Sequence, residues 1–134
     1  MAQDDRLTLL RVAMVAVGVI FIAGIYPLMV IWPSGWTWHT GHSDYPLMIV
    51  GVYATLGVFL IMGARDPLRN LSLIWFTVWS SIVHGGIMLL QSFEGPMNHG
   101  HLLGDVPALI VVAIVLGAVT PRGTAVQSAI RTGA

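Results

Sequence analysis

Cysteine is absent from the 134 residues, and so is lysine. The first absence excludes disulfide frameworks, thiol redox relays and cysteine-ligated zinc, so any metal would need histidine, carboxylate or methionine ligands. The second leaves six arginines as the whole basic complement, matched by six acids. A chain of zero net charge without a basic face has no electrostatic footprint for nucleic acid. Charged residues make up only 9% of the sequence against 56% hydrophobic, whereas a soluble domain carries roughly 25% charge. One small core cannot absorb that apolar excess, and a lipid bilayer is the expected solvent. Gly/Ser linkers, low-complexity tracts and fixed-period repeats are also lacking, and this length predicts a single domain over 1–134.

What the chain has instead is four long apolar runs. A helix crossing a ~30 Å hydrocarbon core needs about 20 mostly apolar residues. The candidate spans cover approximately 7–32, 45–64, 70–93 and 101–119. The run from Val12 to Ile31 exceeds a signal-peptide core and has no small-x-small cleavage site before Trp32, so it reads as a retained span. Between the spans lie PSG with TGHSDYP, then RDPLRN, then EGPMNHG. These stretches are rich in the residues that end helices. The fourth span admits two readings. From Pro107 to Val119 there are 13 residues, about 20 Å of helix and too short to cross. Either the helix starts near His101 with Pro107 as a kink in its second turn, or Asp105 is the N-cap with Pro107 in the first turn.

Arginine predicts the orientation. Positive residues flanking short loops are retained in the cytoplasm. Arg6 and Arg11 precede span one, Arg65 and Arg69 lie between spans two and three, and Arg122 and Arg131 follow span four. All six fall on one side of a four-span topology, which puts both termini in the cytoplasm. The opposite side receives the first and third connections, with His39, His42, Asp44, Glu94, His99 and His101 but no arginine. Trp32, Trp36, Trp38 and Tyr45 fall where the chain leaves and re-enters the membrane, the level favoured by an interfacial aromatic belt.

Polar residues in spans are costly and mark candidate sites. His84 sits nine residues before Phe93, on the helix face shared by Thr77, Ser81, Met88 and Gln91. That stripe points into the bundle. Either His84 fixes packing through a bond to a partner such as Tyr53, or it handles a proton or a ligand. His84, Ser81, Gln91 and Tyr53 therefore form the candidate ligand set, with a quinone carbonyl as one suitable guest. A second candidate is metal. His101 and Asp105, four apart, would share a helix face, and His99, His39 and His42 add nitrogen donors suited to a divalent ion such as Zn(II) or Cu(II), or to non-haem iron.

The stretches FIAGIYPLMVIWPSGWTWHTGHSDYPLMIVGVYATLGVF, ARDPLRNLSLIWFTVWSSIVHGGIM and HLLGDVPAL resemble an uncharacterised family of small four-span bacterial membrane proteins, a domain of unknown function. More loosely, the architecture is similar to the DoxX-like group. The resemblance implies a bacterial inner-membrane protein and no activity. The expectation is thus an all-α, integral membrane four-helix bundle, accessory or ligand-binding in role. Redox or metal-dependent catalysis and proton or solute movement are the alternatives, and other membrane subunits or a homo-oligomer the possible partners. A phosphatase reporter fused after Ala134 is expected to be inactive and a fluorescent one bright; the reverse pattern would invert the topology.

Overall fold

The computed structural model describes residues 3–38 and 43–121, and in them every regular element is helical. Helix α1 spans Gln3–Val19, α2 Ile25–Ile31, α3 Pro33–Trp36, α4 Tyr45–Gly63, α5 Leu71–Gln91 and α6 Asp105–Val119. A π-helical segment, Ile20–Gly24, joins α1 to α2. Two 3-10 helices, Pro67–Asn70 and Pro96–Leu102, lead into α5 and towards α6. Four continuous helical segments, Gln3–Ile31, Tyr45–Gly63, Pro67–Gln91 and Pro96–Val119, are long and apolar enough to cross a membrane. They agree with the four runs read from the sequence to within a few residues at most ends.

The first span is not one regular helix. Pro27 has no N–H to offer the Ala23 carbonyl, and its ring crowds that oxygen. The backbone widens into the π segment one turn earlier, a common local answer to an interrupted hydrogen-bond ladder. The fourth span resolves close to the second of the two sequence readings. Helix α6 begins at Asp105 itself, with Gly104 as N-cap. Pro107 falls in the first turn, where a missing N–H leaves no carbonyl without a donor. Fifteen residues of α6 reach only about 22 Å, and the preceding 3-10 helix extends the segment.

Around the bundle α4 packs on α1, α1 on α6 and α6 on α5, while α4 and α5 touch least of the neighbouring pairs. Helices α1 and α4 approach backbone to backbone. A Cβ on Gly18 would lie 2.7 Å from the Gly57 carbonyl oxygen, and one on Gly57 would lie 2.6 Å from that of Gly18. Without a hydrophobic effect to draw helices together in lipid, backbone contact through small residues supplies much of the association.

The well-packed core lies in the half nearer the chain termini, around Leu10, Met14, Leu60, Ile74 and Leu116. Apolar side chains such as Val52, Phe59, Phe76, Val83, Leu90 and Ile114 face outward, a surface that lipid tails can solvate. At the terminal end Arg6 donates to the Ala118 carbonyl at 2.9 Å, which satisfies an orphan carbonyl at the α6 C-terminus. In the turn before α5, Asp66 accepts from the Arg69 backbone N–H at 3.4 Å, and the Asn70 amide donates to the Asp66 carbonyl at 2.8 Å. Arg122 and Arg131 lie outside the described residues.

Gly18→Ala is expected to lower stability by roughly 1–3 kcal/mol, the usual cost of overpacking, because the clash is with backbone. Gly51→Ala, whose added methyl meets nothing within 4 Å, should be neutral or slightly stabilising. Thermal unfolding of both variants in the same mild detergent checks the contrast.

Candidate functional site

In the half of the bundle away from the termini, the core opens into a cavity of about 460 Å³. Its walls come from the π segment and α2 (Ile20, Phe21, Ile25, Met29), from the first connection (Trp36, Trp38), from α4 (Tyr45, Pro46, Ile49, Tyr53), from α5 (His84, Met88, Gln91) and from α6 (Asp105, Ala108, Leu109, Val112). The cavity is mostly apolar with a few polar groups, and it falls within the roughly 300–1,000 Å³ of small-molecule sites. It borders the seam between α4 and α5, where the bundle is least closed.

The two connections at this end fold onto each other. Helix α3 packs on the 3-10 helix Pro96–Leu102, and glycine makes the contact possible. A Cβ on Gly100 would strike the Ser34 carbonyl oxygen, and one on Gly104 the Gly35 carbonyl oxygen. This packing brings Trp38 over the start of α6. Its indole N–H donates to Asp105 Oδ2 at 2.9 Å. His101 Nδ1–H donates to the same oxygen at 2.9 Å. The Trp38 and His101 rings stack with centroids 3.8 Å apart and planes 20° off parallel. His101 and Asp105 are both buried, at 2% and 5% exposure. A carboxylate that takes two N–H donors on one oxygen is acting as an acceptor. Its other oxygen, Oδ1, is buried with no hydrogen-bond partner, and so is Trp36 Nε1. Unsatisfied buried polar atoms are rare enough to need a reason.

Deeper along the wall, the Tyr53 hydroxyl and His84 Nδ1 share a hydrogen bond of 2.7 Å, bridging α4 and α5. Phe21 meets the Tyr53 ring edge-on, with centroids 4.8 Å apart and planes at 78°. This leaves His84 Nε2 as the remaining polar atom of that ring. Of the ligand set read from the sequence, His84, Tyr53 and Gln91 line the cavity together, whereas Ser81 is buried outside its lining. The stripe on α5 is confirmed as inward-facing by burial of Thr77, Ser81 and Met88.

Of the candidate metal donors, His101 and Asp105 meet and bond to each other, although His101 belongs to the 3-10 helix and not to α6. His99 is exposed. His39 and His42 lie outside the described residues. Among the described residues no three histidine, aspartate or glutamate side chains gather with metal-ligand spacing. Of the residues assigned from the sequence to the interfacial belt, Trp36 and Trp38 are half-buried on the cavity wall, Tyr45 lines the cavity while largely exposed, and Trp32 is exposed outside it. A W-x-W pair within reach of an apolar-flanked aspartate is a donor-acceptor match, and that was the available signal.

The fold and its outward apolar surface define a small multi-pass membrane protein. Over residues 5–132 the chain matches a family of unknown function, DUF6632, and it belongs to that family. No curated protein and no solved structure matches it.

Trp38→Phe keeps the ring over His101 but removes the N–H, and is expected to cost about 1 kcal/mol, the net worth of one such bond. Trp38→Ala also removes the ring and should cost about 3 kcal/mol. Denaturant unfolding of the two variants would show whether bond and stack both hold the connection down; equal losses would assign all of it to the bond.

Proposed function

We propose that this protein is a ligand-binding membrane protein whose cavity holds a lipid-soluble small molecule. The observation that carries the reading is the mostly apolar cavity of about 460 Å³ with Tyr53, His84, Gln91 and Asp105 on its wall, the apolar lining with a few polar groups that small-molecule sites share. The weak α4–α5 seam gives such a guest a route from the bilayer.

A binding role is preferred to a metal centre because His101 and Asp105 are each other's partner, and the third ligand a metal site requires is not at hand among the described residues. The arginine distribution supports a topology with this cavity in the outer half and both termini in the cytoplasm, and a bacterial inner membrane rests on the family resemblance alone. The same reading suits an accessory component that holds its ligand for a neighbouring membrane subunit.

Protein extracted gently from its own membrane is expected to carry one lipid-soluble compound in near-stoichiometric amount, found by solvent extraction and mass spectrometry. Ala108→Phe, which projects a ring into the cavity, should lose it at unchanged fold. Wild-type protein that carries and binds no such compound would end the proposal.

A further inference from the structure

The described arginines are not equally engaged. Arg6 donates to the Ala118 carbonyl, and Arg69 Nε pairs with Asp66 at 3.1 Å. Arg11 and Arg65 are both exposed, and among the described residues neither makes an ion pair or a side-chain hydrogen bond. These two line one groove on the outer surface between α1 and α4, with Val12, Val15, Ala16 and Ile61 as its apolar walls. Its lining shares no residue with the cavity described above.

Helix register sets the two guanidinium groups at one depth. Gly63 faces Met14 while Gly57 faces Phe21 and Ile22, the pairing of antiparallel helices. Arg11 lies seven residues before Gly18, and Arg65 eight residues after Gly57. Both stretches therefore run the same way from the Gly18–Gly57 contact, by about 10 and 12 Å. Ile61 lies over Gly18, where an added Cβ would meet its Cγ1 at 2.7 Å, and closes the groove at its deep end. At the shallow end Arg11 immediately precedes the apolar run from Val12, and Arg65 comes two residues after α4 ends. Both charges thus stand at the same hydrocarbon boundary. The nearest acid on that face of α1, Asp4, is two turns further out, about 10 Å away.

Charges at the edge of a bilayer are stabilised by a partner of opposite sign, and a guanidinium presents a donor fork that matches phosphate. Basic pockets between membrane helices hold anionic headgroups for this reason. We propose that the groove binds one anionic phospholipid, with its phosphodiester on Arg11 and Arg65 and an acyl chain along Val12, Val15, Ala16 and Ile61. The site is separate from the cavity and does not depend on what the cavity holds. It selects for net charge. Phosphatidylcholine neutralises its own phosphate with a choline cation, whereas phosphatidylglycerol leaves the negative charge to the protein.

The test is native mass spectrometry of full-length protein released from detergent micelles containing phosphatidylglycerol or phosphatidylcholine with identical chains. The first phosphatidylglycerol is expected to bind roughly tenfold or more tightly than phosphatidylcholine, about fivefold coming from each basic residue near a membrane surface. Arg11→Gln with Arg65→Gln should bring the two lipids level. Arg69→Gln also removes a positive charge at this end but lies outside the groove, and should leave the preference intact. Ala16→Phe, which fills the apolar part without altering charge, should weaken phosphatidylglycerol severalfold. Equal binding of the two lipids by wild type, or loss of the preference in Arg69→Gln as in the double variant, would overturn the proposal, the second outcome reducing it to general surface charge. An Ala16→Phe variant that binds phosphatidylglycerol as wild type does would also overturn it. If the double variant does not fold, the wild-type comparison and Ala16→Phe decide.

Discussion

One carboxylate oxygen, Asp105 Oδ2, connects the two loops at the end of the bundle remote from the termini. It draws an indole N–H from the first connection and an imidazole N–H from the third, which are 67 and 4 residues away in sequence. In a low-dielectric surround such bonds are strong when made and costly when missing. The stacked Trp38 and His101 rings add contact area to the same junction. The loops can come this near only because Gly100 and Gly104 present bare backbone to Ser34 and Gly35. With this end tied by polar contacts, the helices beneath it need not close into a packed core, and the cavity persists.

The two halves of the molecule are therefore built on different principles. Near the termini the interior is filled with aliphatic side chains, and α1 meets α4 through Gly18 and Gly57. In the other half the interior opens into a mostly apolar cavity, the first span widens as a π segment, and a hydrogen bond between Tyr53 and His84 bridges α4 and α5. A hydrogen bond fixes direction as well as distance, so that bridge can hold two helices apart at a set spacing where close packing would bring them together. Asp105 Oδ1 and Trp36 Nε1, both buried without a hydrogen-bond partner, lie in this half. A π segment and incomplete packing in one region are departures from a self-consistent fold, and such departures concentrate where function is sited.

Much of the architecture was legible in the residues. Four apolar runs separated by proline, glycine, asparagine and aspartate fix four helices, since lipid leaves an isolated segment no other way to satisfy its backbone. The inward stripe on α5 followed from helical spacing, and the meeting of His101 with Asp105 from a separation of four, even though a 3-10 turn and not one helix brings them together. The family resemblance was carried by long stretches of span and connection, and membership follows from the match over residues 5–132. Ser81 was grouped with His84 correctly by face, but one turn of depth separates it from the cavity, and depth is not encoded in periodicity.

Composition and periodicity by themselves determined the solvent, the number of spans, which helix faces turn inward and which residues are too polar to face lipid, because each of these is a local consequence of hydrophobicity and helical pitch. Only the tertiary structure decided that Trp36 and Trp38 line the cavity, that Tyr53 is the partner of His84, and that Trp38 and His101 share one oxygen of Asp105. Those outcomes depend on how far distant backbones can approach and in which direction a donor then points, and no local pattern in the chain carries that information.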